Sequence, residues 1–193
     1  MLLDLALRCR AQSFMIVFPK TILSGQLVTL RPLVRGDASA MFASLAEPEA
    51  IRLTGTHSNH SLEDVETHCA RIEDAEDRVD FGILVDGRLI GEAVLNDLDR
   101  INRHACFRIA IWYPQDRNRG FGSEATRLVV QYGFETAGLN RIELEVYAFN
   151  PRARRVYEKA GFVFEGTRRQ VLIWDGATVD GHIMAMLRTD YHR

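Results

Sequence analysis

The 193-residue sequence predicts an α/β (α+β) domain: a mixed, mostly antiparallel central sheet of about seven strands, flanked by helices. Three observations carry this prediction. FGILV and LIGEAVL meet at Asp86-Gly87, a pair suited to a tight hairpin turn. HACFRIAIWY follows with strict alternation, Phe107, Ile109 and Ile111 on one face and His104, Cys106 and Arg108 on the other. Downstream, two apolar stripes at helical spacing, Ala125/Leu128/Val129/Tyr132 and Ala153/Val156/Tyr157/Ala160, supply covering helices.

In chain order, the first strand runs from Leu27 to Leu30 and closes at Arg31-Pro32. Asp37 then caps a helix carrying Ala38, Met41, Phe42 and Leu45 on one side. TGTHSNH (54–60) reads as a loop, and Ser61 with Asp64 opens a second helix toward Asp77 with a strongly acidic outer face. Three strands joined by short connections then form a meander. Gly138 stops the helix after the glycine loop, RIELEVYA is a strand, Asn150-Pro151 starts the next helix and Gly161 ends it. Residues 162–164 and 170–174 read as strands, Asp175-Gly176 as a turn and 182–187 as the closing strand.

The length suits one domain with a short appendage: residues 1–24 as the appendage, serving as a surface helix or a homodimer contact, and 25–193 as the domain. Met15 is an alternative start. Asp4, Arg8 and Arg10 interrupt the first apolar run, which is too short and too charged to span a bilayer. With 24 basic and 26 acidic side chains there is no global field to draw nucleic acid or a membrane surface. Cys9, Cys69 and Cys106 are odd in number and far apart, against a disulfide framework or a metal cluster, so no metal and a reducing cytoplasm are expected.

Chemistry concentrates in YPQDRNRGFGSEATRLVV (113–130). Gly120 and Gly122 fit two phosphate loops. A dinucleotide fingerprint needs its strand to run straight into the first glycine of a parallel βαβ unit. Here Pro114 ends the strand, five residues intervene, and the upstream strands are antiparallel. A longer loop suits a different task, wrapping backbone N–H groups around a pyrophosphate at a helix N-terminus, with Arg117 and Arg119 adding charge. A solvated basic turn explains the loop alone about as well.

RNRGFG (117–122) resembles the R/Q-x-x-G-x-G/A loop of the GCN5-related N-acetyltransferase (GNAT) family, and NPRARRVYEKAGF (150–162) is similar to the asparagine-to-glycine helix that follows it there. LRPLVRGDASAMF and WDGATVDGHIMAMLR resemble the ribosomal-protein alanine and spermidine acetyltransferase branch, extending the likeness over about residues 27–188. The resemblance implies acetyl-CoA as acyl donor, a primary amine as acceptor, and direct attack in a ternary complex. The backbone of Ile111, Trp112 and Tyr113 would pair with the pantetheine arm. Arg117, Asn118, Arg119, Gly120, Phe121, Gly122 and Ser123 would hold the pyrophosphate, and Asn150 would contact the cofactor arm. Ala153 stands where the family often has serine.

For catalysis, Tyr157 matches the tyrosine that serves the leaving sulfur, though spacing alone makes it a core aromatic. Glu145 has the family interval to Tyr157 and ranks just ahead of Glu92, a carboxylate between apolar neighbours in mid-strand. A solvent-facing strand carboxylate explains either. Cys106 as an acetyl carrier is the weaker route, since a lone strand cysteine is usually inert packing. His57 and His60 border the expected acceptor cleft. Two rivals remain: a dinucleotide-binding oxidoreductase module and a catalytically silent CoA sensor. For the acceptor, a protein N-terminal α-amine is slightly preferred over a polyamine.

Overall fold

A computed structural model describes residues 18–57 and 59–191. Its strands are β1 (Leu23–Ser24), β2 (Thr29–Pro32), β3 (Val79–Val85), β4 (Arg88–Asp99), β5 (His104–Ile111), β6 (Arg141–Tyr147), β7 (Val163–Trp174) and β8 (Ala177–Leu187). The helices are α1 (Ala38–Ser44), α2 (Pro48–Thr54), α3 (Leu62–Asp74), α4 (Phe121–Gln131), α5 (Pro151–Ala160) and α6 (Arg188–Tyr191). One eight-stranded sheet runs in the order β1-β2-β3-β4-β5-β6-β8-β7, antiparallel throughout except between β5 and β6.

Local chemistry explains most element boundaries. Asp86 and Gly87 both have positive φ (49° and 77°), as the tightest hairpin turns require, and they fix the β3–β4 register. Ser61 and Asp64 exchange hydrogen bonds in a capping box at the start of α3. The Asn150 side-chain Oδ1 accepts from the Ala153 N–H, and Pro151 fills the first turn of α5.

Several expectations are corrected. The expected mixed, mostly antiparallel sheet is present with eight strands, the short Leu23–Ser24 adding an edge beside β2. Residues 162–164 and 170–174 join in one long strand bent by bulges against β8. Helix α2 went unread in the sequence, although Pro48 is a first-turn signal in plain view. Asp37 precedes α1 but gives it no side-chain cap. Its carboxylate instead takes both Nη groups of Arg31 and the N–H of Val34. The described part of the expected appendage, residues 18–24, packs on the domain: Phe18 is buried and the Pro19 carbonyl accepts from Tyr132. The rest of that segment lies outside the described residues.

Strand alternation sorts the sheet into two faces. On one, Phe81, Ala93, Leu95, Phe107, Ile142, Leu144 and Val146 form the main core with α4 and α5, joined by Ala125, Val129, Tyr157 and Phe162. Burying such side chains stabilises by about 1.5–3 kcal/mol each, so this face anchors the fold. The other face carries Asp80, Glu92, Asn96, Cys106, Arg108, Glu143 and Glu145 under α1 and α3, which form a small separate cluster around Cys69.

Candidate active site

Strands β5 and β6 run parallel for three rungs, from His104↔Arg141 to Cys106↔Glu143. Beyond them β6 stays paired with β8 and β5 with β4, so the two strands part and a gap opens through the sheet. A cavity of about 920 Å³ occupies this opening and collects residues from both faces. Tyr157 lines it from the α4/α5 face; Glu92, Arg108 and Glu145 line it from the other. All three residues expected to carry the chemistry therefore reach one space.

At the mouth of the gap, the free edge of β5 offers backbone. The Trp112 N–H bonds the Ile90 carbonyl across β4, so by strand alternation the Ile111 N–H faces the opening. The Ile111 carbonyl is taken by Arg117 Nε at 3.1 Å, and the Trp112 carbonyl by Arg117 Nη2 at 2.7 Å. Arg117 Nη1 donates to Glu49 on α2, so this buried guanidinium braces the end of β5. Its side chain also lines the cavity, so it reaches the space expected to hold the phosphates with its guanidinium already engaged.

The loop's own donors are better placed. Asn118 and Gly120 have positive φ (60° and 87°), folding the backbone back on itself ahead of α4. Among the described residues, no N–H from Asn118 to Ser123 has a hydrogen-bond partner, while the Glu124 N–H closes onto the Gly120 carbonyl. Successive bare N–H groups at a helix N-terminus make an anion nest, reinforced by the helix dipole. Asn118, Gly120, Gly122 and Ser123 line the cavity. Tyr113, Arg119 and Phe121 do not: Phe121 is buried, and the exposed Arg119 guanidinium lies over its ring, 4.9 Å from the centroid. Arg88 grips buried Asp116 through both carboxylate oxygens and fixes the loop's base. Glu124 accepts the N–H groups of Gln26, Leu27 and Val28, tying α4 to the segment before β2.

Tyr157 is buried against Phe107 and Phe162, and burial alone pushes its phenol well above the usual tyrosine range. It stays an O–H donor with no hydrogen-bond partner among the described residues. Asn150 reaches the cavity with its Oδ1 already engaged in capping α5.

The two carboxylates differ. Glu145 receives Arg168 Nη1 at 3.2 Å, and Gly181 leaves the room its carboxylate occupies. Glu92 has no such partner among the described residues. Burial raises it to about 7, the nearby Asp80 carboxylate adds to the rise, and Arg108 and Arg78 oppose it. Cys106 lines the cavity with its thiol raised to about 11 by burial and Glu143, which makes it a poor acetyl carrier at neutral pH. His60 lines the cavity, whereas His57 packs on Trp174 with ring centroids 5.1 Å apart. Sequence reading missed Arg152 and His68 in the lining, and the Glu49–Arg117 brace. Strand alternation had already put Arg108 on the correct face.

A sheet parted by a gap, with a donor-rich loop at one side and a carboxylate and a phenol across it, defines an acyl-CoA-dependent N-acyltransferase architecture. The family model for the acetyltransferase (GNAT) domain matches residues 28–163, and the chain belongs to that family. The uncharacterized N-acetyltransferase YoaA of Bacillus subtilis is 30% identical over 178 residues, spanning 89% of this chain and 98% of its own. The spermidine N(1)-acetyltransferase of Escherichia coli K12 is 31% identical over 155 residues, 74% of this chain and 76% of that one. The crystal structure of the Vibrio cholerae spermidine N-acetyltransferase with CoA and spermine superposes with a TM-score of 0.81 at 26% identity, covering 88% of this chain and all of that one. The protein is an N-acetyltransferase. Among the described residues, no helix is long and apolar enough to cross a membrane.

Proposed function

We propose that the protein transfers acetyl from acetyl-CoA to a primary α-amine, such as a protein N-terminus, by direct attack within the β5/β6 gap. The nest from Asn118 to Ser123 takes the CoA pyrophosphate, and the free edge of β5 at Ile109 and Ile111 takes the pantetheine arm like an added strand. The acceptor enters over the Glu92 face. Its nitrogen attacks the acetyl carbonyl, a proton passes from nitrogen to the Glu92 carboxylate directly or through a water, and the C–N bond forms as the C–S bond breaks. The Tyr157 O–H donates to the departing sulfur.

The observation that carries this reading is Glu92, which lines the cavity with no hydrogen-bonded partner among the described residues, its carboxyl raised to about 7 by burial and by Asp80. A base with that pKa meets an α-ammonium of about 7.7–8.0 nearly on level terms. An alkylammonium of about 10.4 is neutral in only about one part in a few thousand at pH 7 and lies over three units above this base. The pocket carboxylates Glu143 and Glu145 are also occupied, by Arg141 and Arg168, leaving less free negative charge for a polycation. A polyamine acceptor is the second reading, favoured by the relatives named as spermidine acetyltransferases. Release of CoA thiol with a short peptide bearing a free N-terminus, and with spermidine, separates them. A kcat/KM at least tenfold higher for the peptide is expected; faster turnover of spermidine establishes the second reading. No thiol release with either would favour a silent sensor.

A further inference from the structure

At the root of the gap, where β5 and β6 make their last rung, three ligand-type side chains converge outside the acetyl-transfer chemistry. His104 and Cys106 point to the same face of β5, and Glu143 lies directly opposite Cys106 on β6. One ligand atom from each falls within 4.8 Å of the others. His104 Nε2 lies 3.3 Å from Glu143 Oε2, and Cys106 Sγ lies 3.7 Å from Glu143 Oε1. Around a tetrahedral zinc, nitrogen and oxygen ligands stand about 3.4 Å apart, and sulfur and oxygen about 3.6 Å, from bond lengths near 2.1 and 2.3 Å. A single Glu143 oxygen, within 4.8 Å of the ligand atoms of both other residues, serves as the third ligand.

Polar satisfaction points the same way. His104 Nε2 is a buried atom whose nearest acceptor, Glu143 Oε2 at 3.3 Å, does not complete a hydrogen bond, and Asn96 Oδ1, whose residue faces Cys106 across the β4–β5 ladder, is buried without a partner among the described residues. Buried polar atoms are rarely left bare without an ion or water to meet them. The Glu143 carboxylate is steadied by Arg141 Nε and Nη2 at 3.2 and 3.0 Å, the kind of outer contact that orients a metal-binding carboxylate.

We propose that His104, Cys106 and Glu143 form a three-ligand site for a soft divalent transition metal, with Zn²⁺ the best match, clasping β5 to β6 where their pairing ends. A thiolate, an imidazole and a carboxylate suit zinc rather than the oxygen-seeking Mg²⁺ or Ca²⁺. Cys106, Glu143 and Asn96 border the cavity, so the fourth position is open to water from that side. Binding replaces the Cys106 S–H bond with a metal–sulfur bond and releases that proton. Cysteine spacing alone argued against a metal because two of the three ligands are not cysteines and one comes from another strand.

The test is titration of the chelator-stripped full chain with Zn²⁺ alone, by calorimetry in two buffers of different ionisation enthalpy. One equivalent bound with net proton release is expected. Cys106→Ser and His104→Gln each weaken binding by about a hundredfold or more, while Cys9→Ser binds as the parent does. Circular dichroism of the stripped variants checks their fold. Should they fail to fold, Co²⁺ added to the parent must give a thiolate-to-metal band in the near ultraviolet with intense tetrahedral visible bands. No binding by the parent, binding unchanged in Cys106→Ser, or Co²⁺ spectra without a thiolate band would overturn the site.

Discussion

The two faces of the sheet are built by different physics. On the α4/α5 face, interior packing is apolar and nearly continuous, and the loop ahead of α4 holds its donors by backbone geometry. On the α1–α3 face, charges sit over the strands in pairs: Arg78 with Asp80, Arg141 with Glu143, Arg168 with Glu145. Glu92 is the exception, half-buried with no hydrogen-bonded partner among the described residues and lining the gap. Under the proposed function, the first face binds through backbone and the second reacts through a side chain, and the β5/β6 gap is where a thioester held on the first would meet a base on the second.

The largest expected effect breaks the reactive face alone. Glu92→Gln lowers kcat/KM by about 10²–10³, the usual range for losing a general base, with acetyl-CoA affinity unchanged by calorimetry. The binding face responds in the opposite sense. Gly120→Val places a β-branched residue at a φ of 87° and brings its Cβ to about 3.1 Å from Leu27 Cδ1, so acetyl-CoA affinity falls by about 10–100-fold. Tyr157→Phe keeps the buried ring against Phe107 and removes one donor. Its kcat drops about tenfold, with little change in thermal midpoint or in acetyl-CoA affinity. The smallest effect is Glu145→Gln, which leaves kcat/KM within about threefold, because the Arg168-paired carboxylate takes no proton in the reaction.

Legibility in the sequence followed the same division. The binding face rests on signals within a few residues of one another: Gly120 and Gly122, the Asn150-Pro151 start, the apolar stripes. Family membership and fold were readable from them. The reactive face depends on partners far along the chain. Nothing near Glu145 announces Arg168, and Asp80 comes beside Glu92 only through the pairing of β3 with β4, so the interval to Tyr157 was the one ranking the sequence offered. The loop's sequence showed Arg117 as a phosphate candidate and gave no sign of its pairing with Glu49, 68 residues upstream. The boundary at residue 24 was misplaced for the same reason, since only the fold brings Phe18 and Pro19 to Tyr132.

Stability should carry the mark of Glu92 as well. Its folded pKa is raised from 4.5 to about 7, so the folded state favours the protonated carboxyl; that contribution is complete below about 4.5 and is lost as pH rises through 7. At pH 8, Glu92→Gln therefore melts at a higher temperature than the parent even as it loses activity.

The pH profile of kcat/KM, measured with a peptide acceptor for the parent and for Glu92→Gln, bears most directly on the account. The parent should show an acidic limb with an apparent pKa near 7, in addition to the limb from deprotonation of the acceptor itself. In Glu92→Gln that added limb should vanish, leaving only the acceptor's own. An acidic limb near 7 that persists unchanged in Glu92→Gln would contradict the assignment of Glu92 as the base.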